Sequence, residues 1–347
     1  MSYTNGLDNP ELYFQTKLYT GNSGTNAITL DGSENMQPDW IWIKERGATG
    51  FHVLTDVVRG ITKQLYSNDN QVENTNSFSI TAIGSNGFTL GNRADVNNNS
   101  DTYVAWNWLA GGTASSNTDG SITSTVSANT TSGFSIVSYS GTGSNLDFGH
   151  GLGAVPDWFM IKNRDVDQAW RVYHKSMGFT KRLVLSETGA ESASAVGLNG
   201  SPTSSLINLD TSTDCTNASG ENYICYAFAE KKGFSKFGSY TGNGSTDGTF
   251  VYLGFKPAFV MIKRTDSTGS WPIEDSARSP SNSSMQVLYS NLNNAEETLN
   301  PYFDLLSNGF KIRWTSTFIN ASGGNYIYMA FAENPFVTST GIPTTAR

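Results

Sequence analysis

The sequence has little charge, little cysteine and little histidine, and these shortages exclude several classes of protein. Asp, Glu, Lys and Arg make up 15% of the 347 residues, and there are two Cys and three His. Cys215 and Cys225 are too few for a disulfide framework or a thiolate metal site. Cys225 alternates with Tyr223 and Ala227 as a small packing group would, and a local disulfide is the alternative. No apolar run approaches the length of a membrane-spanning helix.

Basic charge is scarce as well. The net charge is −8 and the isoelectric point is near 4.9, which argues against nucleic acid as a partner because phosphate binding needs a basic surface. An acidic shell rich in Ser, Thr and Asn indicates solubility. Residues 1–10 lack the basic and apolar parts of a secretory signal, so we expect a protein made in the cytoplasm, without membrane insertion, and released by lysis.

A threefold repeat is the main positive feature of the sequence. Three stretches share a proline, an apolar strand and a lysine, and their first residues are 118 and 101 positions apart: Pro38–Lys44, Pro156–Lys162 and Pro257–Lys263. Each copy opens on a Tyr-Ser/Thr-Gly triplet at Tyr19, Tyr139 or Tyr240 and closes on an aromatic strand at Tyr103, Tyr223 or Tyr326. A period near one hundred residues is too long for a solenoid and suits a small domain.

These landmarks divide the chain into three units with short terminal segments. The predicted segments are an N-terminal arm (1–12), repeat 1 (13–112), a polar linker (113–131), repeat 2 (132–233), repeat 3 (234–336) and a C-terminal tail (337–347). The alternative for the linker is an exposed strand at Ser121–Val126. The short junction between repeats 2 and 3 predicts a fixed orientation, whereas repeat 1 is expected to hinge.

Within each unit the apolar residues alternate with a period of two, which predicts strands rather than helices. The predicted fold is all-β: three tandem β-sandwich repeats of jelly-roll or concanavalin-like topology. The segment Trp40–Ile43 is apolar on both faces, so it needs cover beyond its own sandwich, from another unit or another chain. We hypothesise that the three units surround a pseudo-threefold axis.

The residues that commonly carry catalysis do not recur in the three copies. His52, His150 and His174 occupy different repeat positions and lack metal-ligand spacing. Carboxylate neighbours occur at Glu274/Asp275, Glu296/Glu297 and Asp165/Asp167, but strand neighbours point to opposite faces, and we interpret these groups as solvated charges. Asn117–Gly120 and Ser245–Gly248 fit tight turns rather than a full calcium loop. We therefore predict no catalytic, cofactor-binding or metal-binding residue, and no enzyme.

Two recurring features follow the strand lysines. An aromatic residue lies seven or eight positions later, at Phe51, Trp170 and Trp271. Trp170 and Trp271 are candidate glycan-binding residues because a flat indole can stack on a sugar ring, and the alternative is that they are core residues. Lys44, Lys162 and Lys263, followed by Arg46, Arg164 and Arg264, would bind an acidic partner surface or protect sheet edges from pairing.

Several long phrases of the sequence resemble an uncharacterised repeat family that is widespread in virion structural and tail-fibre proteins of marine bacteriophages. The resemblance covers nearly the whole chain and rests on these segments: Tyr103–Gly112, Gly120–Asn129, Phe234–Asn243, Val260–Gly269 and Tyr326–Glu333. It implies a virion component and brings no catalytic residues.

We therefore expect a non-enzymatic virion surface protein, as a tail fibre, tip adhesin, head decoration or head fibre. Its expected partners are other virion proteins, itself (for example as a trimer), and a glycan on the host surface. The alternatives are a lectin-like receptor-recognition module and a capsule depolymerase supported only by the scattered carboxylates. Binding specificity is expected where the copies differ: Thr113–Thr131, Gly178–Ser201 and Ser276–Ser284.

Overall fold

A computed structural model describes residue 4 and residues 6–194, 196–211 and 215–344, and nearly all its regular structure is antiparallel strand. A 3-10 turn at Pro10–Leu12 precedes repeat 1, which holds one four-residue helix, α1 (Ala94–Asn97). The strands of repeat 1 are β1 (Phe14–Thr20), β2 (Asn26–Thr29), β3 (Trp40–Glu45), β4 (His52–Asp56), β5 (Lys63–Tyr66), β6 (Asn74–Thr75), β7 (Ile80–Gly84), β8 (Gly87–Leu90) and β9 (Thr102–Trp108).

Repeat 2 contains nine strands and a 3-10 turn at Lys175–Met177. Its strands are β10 (Ser115–Asn117), β11 (Ser124–Asn129), β12 (Phe134–Ser140), β13 (Leu146–Gly149), β14 (Trp158–Asn163), β15 (Arg171–His174), β16 (Leu183–Val184), β17 (Leu206–Leu209) and β18 (Asn222–Phe228).

Repeat 3 contains eight strands and a second four-residue helix, α2 (Thr317–Asn320). Its strands are β19 (Ser235–Thr241), β20 (Phe250–Tyr252), β21 (Phe255–Arg264), β22 (Pro272–Asp275), β23 (Ser284–Tyr289), β24 (Glu297–Leu306), β25 (Gly309–Ile312) and β26 (Asn325–Pro335). The predicted all-β sandwich class is confirmed. Among the described residues, no helix has the length and apolar character that a membrane span requires.

One order of five strands occurs in each repeat. The orders are β1-β9-β3-β4-β5, β12-β18-β14-β15-β16 and β19-β26-β21-β22-β23. The registers match as well, because the strand lysine pairs with the second residue of the closing aromatic segment in every copy: Lys44 with Val104, Lys162 with Ile224, and Lys263 with Ile327. Separate small sheets, β2-β8-β7 in repeat 1 and β13-β17 in repeat 2, pack on the core of their repeats. In repeat 3, β24, β25 and β20 continue the same eight-stranded sheet beyond β23, and their apolar residues pack in one core with those of β21 and β26.

Each five-strand sheet is buried on both faces, and the two faces belong to different cores. Ile41 and Ile43 lie in the core of repeat 1 itself, whereas Trp40 and Trp42 lie in a core shared by all three repeats. Repeats 2 and 3 add their own strand residues, such as Trp158 and Phe259, to the shared core. The predicted outside cover of the Trp40–Ile43 strand therefore comes from the other repeats of the same chain.

The predicted polar linker is wrong. Within 113–131, β10 and β11 extend the large sheet of repeat 2, and Thr125 to Asn129 pair with residues of β12. The alternative of a strand in this segment is confirmed, although β11 begins at Ser124 rather than at Ser121. The polar composition reflects an edge position, where side chains meet solvent on one face.

The repeated Tyr-Ser/Thr-Gly triplet has a packing reason. A β-carbon at Gly21, Gly141 or Gly242 would lie 2.0, 2.3 or 2.4 Å from a backbone carbonyl oxygen, so only glycine fits. The next backbone N–H donates to a buried asparagine side chain in each copy, at Asn97, Asn217 or Asn320. The triplet thus closes the sandwich at the same corner in every repeat.

The two terminal segments pack against the folded repeats. Leu7 lies in the shared core, and Asp8 accepts hydrogen bonds from the backbone and side chain of Ser339, with a backbone distance of 2.7 Å. The tail is anchored where the Phe336 N–H donates to the Gly254 carbonyl. The segments predicted as an arm and a tail are therefore joined to each other and to the body.

Candidate functional site

The two candidate glycan-binding tryptophans lie between repeats and not on the surface. Trp170 and Trp271 are both 0% exposed. The Trp170 indole donates to the Tyr66 carbonyl of repeat 1 at 2.7 Å, and the Trp271 indole donates to the Val184 carbonyl of repeat 2 at 3.1 Å. Neither ring face is open to a sugar, so the stacking role is wrong and the core alternative is confirmed.

The residue of repeat 1 that corresponds to Trp170 and Trp271 is His52 and not Phe51. In the sheet register, Val53, Arg171 and Pro272 occupy one equivalent position, so His52 corresponds to the two tryptophans. The His52 ring is buried, accepts from the Trp42 indole at 2.9 Å and stacks on Trp106. Burial lowers its pKa well below the usual range, with Lys44 adding to the effect.

Two of the three strand lysines also reach a neighbouring repeat. Lys44, Lys162 and Lys263 are fully buried, and their ammonium groups donate to backbone carbonyls. Lys162 reaches the Asn70 carbonyl of repeat 1, and Lys263 reaches the Thr188 carbonyl of repeat 2, each at 3.0 Å. Burial lowers the pKa of each lysine to about 8. Buried amines cannot protect an edge or bind an acidic partner, so both predictions are wrong.

Two of the three arginines that follow these lysines join neighbouring repeats. Arg164 of repeat 2 holds Glu73 of repeat 1 through two hydrogen bonds of 2.8 and 2.9 Å. Arg46 of repeat 1 holds Glu296 of repeat 3 in the same way, at 3.0 and 2.8 Å. Arg264 differs because it stands one position earlier in the register and pairs with Asp266 of its own repeat.

Sequence reasoning missed a buried charge pair that occurs at two interfaces. The Asp56 carboxylate accepts from Arg59 at 2.5 Å and from the Tyr226 hydroxyl of repeat 2 at 2.6 Å. The Asp275 carboxylate accepts from Arg278 at 2.5 Å and from the Trp106 indole of repeat 1 at 2.9 Å. An Asp-x-x-Arg spacing that starts at the last residue of β4 and of β22 is the sequence signal that could have found them.

The interface between repeats 2 and 3 lacks this pair. His174 and Met177 stand at the positions of Asp56 and Arg59, and Met329 stands at the position of Tyr226 and Trp106. All three are buried, and Met177 and Met329 lie in the shared core. The hydrogen-bond donor and its acceptor have thus been replaced together.

The carboxylates considered for glycoside hydrolysis do not meet in a cleft. Glu274 and Asp275 point to opposite faces as predicted, but both are fully buried, so the solvated interpretation is wrong for them. Glu274 accepts a hydrogen bond from Ser284, and burial raises its pKa to about 8. Glu296 belongs to the Arg46 pair, and Asp165 accepts from Asn222.

Histidine and cysteine positions also fit structural roles. His150 is buried, and its Nε2 lies 3.1 Å from the Thr203 carbonyl oxygen. Cys215 and Cys225 are both buried and are not joined by a disulfide, and the Cys215 sulfur accepts from Arg171. Within the described residues, no group of three or more His, Cys, Asp or Glu side chains is placed to hold a metal ion.

The segments where the copies differ are only partly free for binding. In Gly178–Ser201, the Thr188 carbonyl and the Glu191 N–H contact repeat 3, whereas Asn199 to Ser201 are exposed. Ser276–Ser284 contains the buried Arg278. The outer parts of these loops therefore remain as the variable surface.

Arg164 joins repeat 2 to repeat 1, Lys263 joins repeat 3 to repeat 2, and Arg46 joins repeat 1 to repeat 3. The chain is an all-β protein, and we call this closed set of contacts around the shared core the ring. A family model described as a domain of unknown function, DUF7483, matches residues 9–335. The match spans the entire ring, and the chain belongs to this family. No curated protein matches the chain.

A pH dependence follows from His174. Burial lowers its pKa to about 3, with Lys175 adding to the effect, whereas an unfolded His titrates near pH ~6.5. Between these values the unfolded chain binds a proton that the folded chain does not, so stability falls as pH falls, by at most about 1.4 kcal/mol per pH unit. From pH 7.5 to 5.0, the wild type should lose about 2 kcal/mol more than His174→Asn in urea unfolding.

The variant isolates one group because the other titrations are common to both proteins. Equal pH dependence of the two chains between pH 7.5 and 5.0 would contradict the assignment. A comparison at pH 7.5 and 8.5, outside the histidine window, is the control and should show no difference in slope.

Proposed function

We propose that this chain is a non-enzymatic structural protein of a bacteriophage virion, placed on the particle surface as a tail fibre, tip adhesin, head decoration or head fibre. It mediates assembly and attachment to the host. The observation that carries the proposal is that the residues recurring in all three repeats are structural: the core aromatics join the repeats in one shared core, the strand lysines are buried, and the corner glycines close each sandwich. The resemblance of the sequence phrases to virion proteins is the second support.

The ring also changes where partners can bind. The apolar strand faces that called for outside cover are occupied by the chain's own repeats. Contacts with other virion proteins, including self-association as a trimer, use the polar outer surface and the exposed loop parts such as Asn199–Ser201. A ring of three sandwiches presents three lobes around one core without needing three chains.

Mass spectrometry of purified virions tests the proposal. The chain should be present at a fixed copy number per particle after density-gradient purification, and antibody labelling should place it on the outside. A matched sample of uninfected lysate, carried through the same gradient, controls for contamination. If the chain is missing from particles that package DNA normally, the proposal fails.

A lectin-like role is the second candidate, and it now needs a site other than the buried tryptophans. Strand β20 offers one, since Phe250 and Tyr252 are both exposed on the same face and the Lys236 ammonium lies 5.4 Å from the centre of the Tyr252 ring. The wild type should bind glycans on an array, and Tyr252→Ala should abolish this binding. Binding that survives this change, or no binding by the wild type, excludes the site.

A further inference from the structure

A cleft of about 370 Å³ opens between repeats 2 and 3, at the one interface that lacks the buried Asp–Arg pair. Its lining includes Met177, Lys181, Glu191, Ser239 and Thr265. At the interface between repeats 1 and 2, the equivalent space is filled by two arginine side chains. The interface between repeats 1 and 2 therefore shows which side chains fit the space that is open in the cleft.

In the filled interface, Arg164 uses two kinds of acceptor. Its guanidinium group donates to both oxygens of Glu73, at 2.8 and 2.9 Å, and to the Ser138 hydroxyl at 3.2 Å. Arg59 adds a contact to Glu73 at 3.3 Å. A carboxylate with an adjacent hydroxyl thus binds a planar, forked cation at this position.

The cleft keeps those acceptors and lacks the arginines. The Glu191 N–H donates to the Thr265 carbonyl at 2.8 Å, as the Glu73 N–H donates to the Arg164 carbonyl at 2.9 Å, so the two backbones share one register. Thr265 consequently replaces Arg164, and Glu191 corresponds to Glu73.

The hydroxyl acceptor and the second arginine position follow from the same registers. Ser239 corresponds to Ser138, because each directly precedes the tyrosine that pairs with the first aromatic residue of the closing strand. Met177 stands where Arg59 stands in repeat 1. Two arginine positions are therefore taken by shorter, uncharged side chains, while Glu191 and Ser239 remain.

The cleft holds a carboxylate that can accept from a cation, that of Glu191. Within the described part of the chain, the cation in contact with Glu191 is Lys181, whose side chain is 43% exposed. An exposed pair of this kind contributes little and can rearrange. Its counterpart Lys63 stays 3.9 Å from Glu73 while two arginines also bind that carboxylate, so the lysine and a guanidinium group can share it.

We propose that the cleft between repeats 2 and 3 binds a guanidinium group supplied by another molecule, with Glu191 as the two-point acceptor and Ser239 as the third contact. The ligand enters from solvent and occupies the place that Arg164 fills at the preceding interface. This site does not depend on the proposed role in a virion.

Isothermal titration with N-acetyl-arginine methylamide tests the site, with the lysine and alanine analogues as matched ligands. A single half-exposed carboxylate should give millimolar binding of the arginine ligand, at least about fivefold tighter than the lysine ligand. Methylguanidinium distinguishes the source: equal affinity indicates a free guanidinium compound, and tighter binding of the arginine ligand indicates a peptide side chain. Equal heats for the arginine and alanine ligands overturn the proposal.

Thr265→Arg is the decisive variant, because it supplies the missing side chain from the chain itself. It should weaken binding of the arginine ligand by about tenfold or more, while Thr265→Ser leaves binding unchanged. Glu191→Gln should abolish it. Thermal unfolding confirms that each variant is folded, and undiminished binding by folded Thr265→Arg shows that the ligand lies elsewhere and refutes the site.

Discussion

Asp56→Ala is expected to lower the free energy of unfolding by about 3 kcal/mol, because it removes the nearer of the two carboxylates that neutralise the buried Arg59 guanidinium and leaves only Glu73, at 3.3 Å. The Asp56 and Arg59 side chains are fully buried, and the Asp56 carboxylate accepts from the Tyr226 hydroxyl of the next repeat. One substitution therefore removes a charge pair and an inter-repeat hydrogen bond. Chemical denaturation monitored by tryptophan fluorescence measures the loss.

Two controls separate the buried pair from charge removal in general. Asp31→Ala removes the partner of Lys17, but the Asp31 side chain is 70% exposed, and the change should stay within about 0.5 kcal/mol. The triple variant Asp56→His, Arg59→Met, Tyr226→Met copies the interface between repeats 2 and 3. It should recover most of the stability, because replacing a whole buried ionic group by apolar side chains is often nearly neutral.

The interpretation of the pair would be wrong if Asp56→Ala were as mild as Asp31→Ala. It would also be wrong if the triple variant were less stable than the single one. The second result would mean that the replacements in repeat 2 depend on neighbours other than those in direct contact.

Trp40→Ala is the second change expected to be large. The Trp40 ring is fully buried in the shared core, with its centre 4.4 Å from the Trp108 ring and 4.6 Å from the Tyr226 ring. Truncation removes these aromatic contacts and leaves a cavity, which costs about 3–5 kcal/mol. Calorimetry and chemical denaturation both measure the effect.

The location of Trp40 adds a prediction on cooperativity. Because its neighbours belong to repeats 1 and 2, hydrogen exchange should accelerate in the central strand β18 of repeat 2 as well as in β3. Phe78→Ala is the matched control, since this side chain is 62% exposed and its loss should change stability by less than about 0.5 kcal/mol. Exchange that accelerates in repeat 1 alone would show that the repeats unfold independently.

The sequence predicted the strands well and their surroundings less well. Alternation along Tyr103–Trp108 and its counterparts shows that a strand has two faces, and the apolar Trp40–Ile43 segment shows that both are covered. Periodicity cannot say what provides the cover. The closed ring was therefore only a hypothesis, and the expectation of a hinge at repeat 1 was wrong because two polar networks join that repeat to both neighbours.

The burial of charged residues was the feature that the sequence predicted least well. Asp275 and Lys162 look like solvated residues in the sequence, since ionised groups are rarely buried without a partner. Their partners, Trp106 and the Asn70 carbonyl, lie in other repeats and far away in the chain. Repetition identified the lysines as important, but comparing positions by sequence alone matched Phe51, instead of His52, to the two tryptophans.

The contact between Asp8 and Ser339 brings the two ends of the described chain together on a ring whose repeats are already joined in sequence. Because the repeats contact one another in a closed ring, the chain could start at any one of the three repeats and still form the same interfaces. Joining the two ends near this contact by a linker that retains Leu7, and opening the chain at the Lys231–Gly233 junction, would start it at repeat 3 and leave every interface in place. The order of repeats along the chain is therefore separable from the architecture that the repeats build.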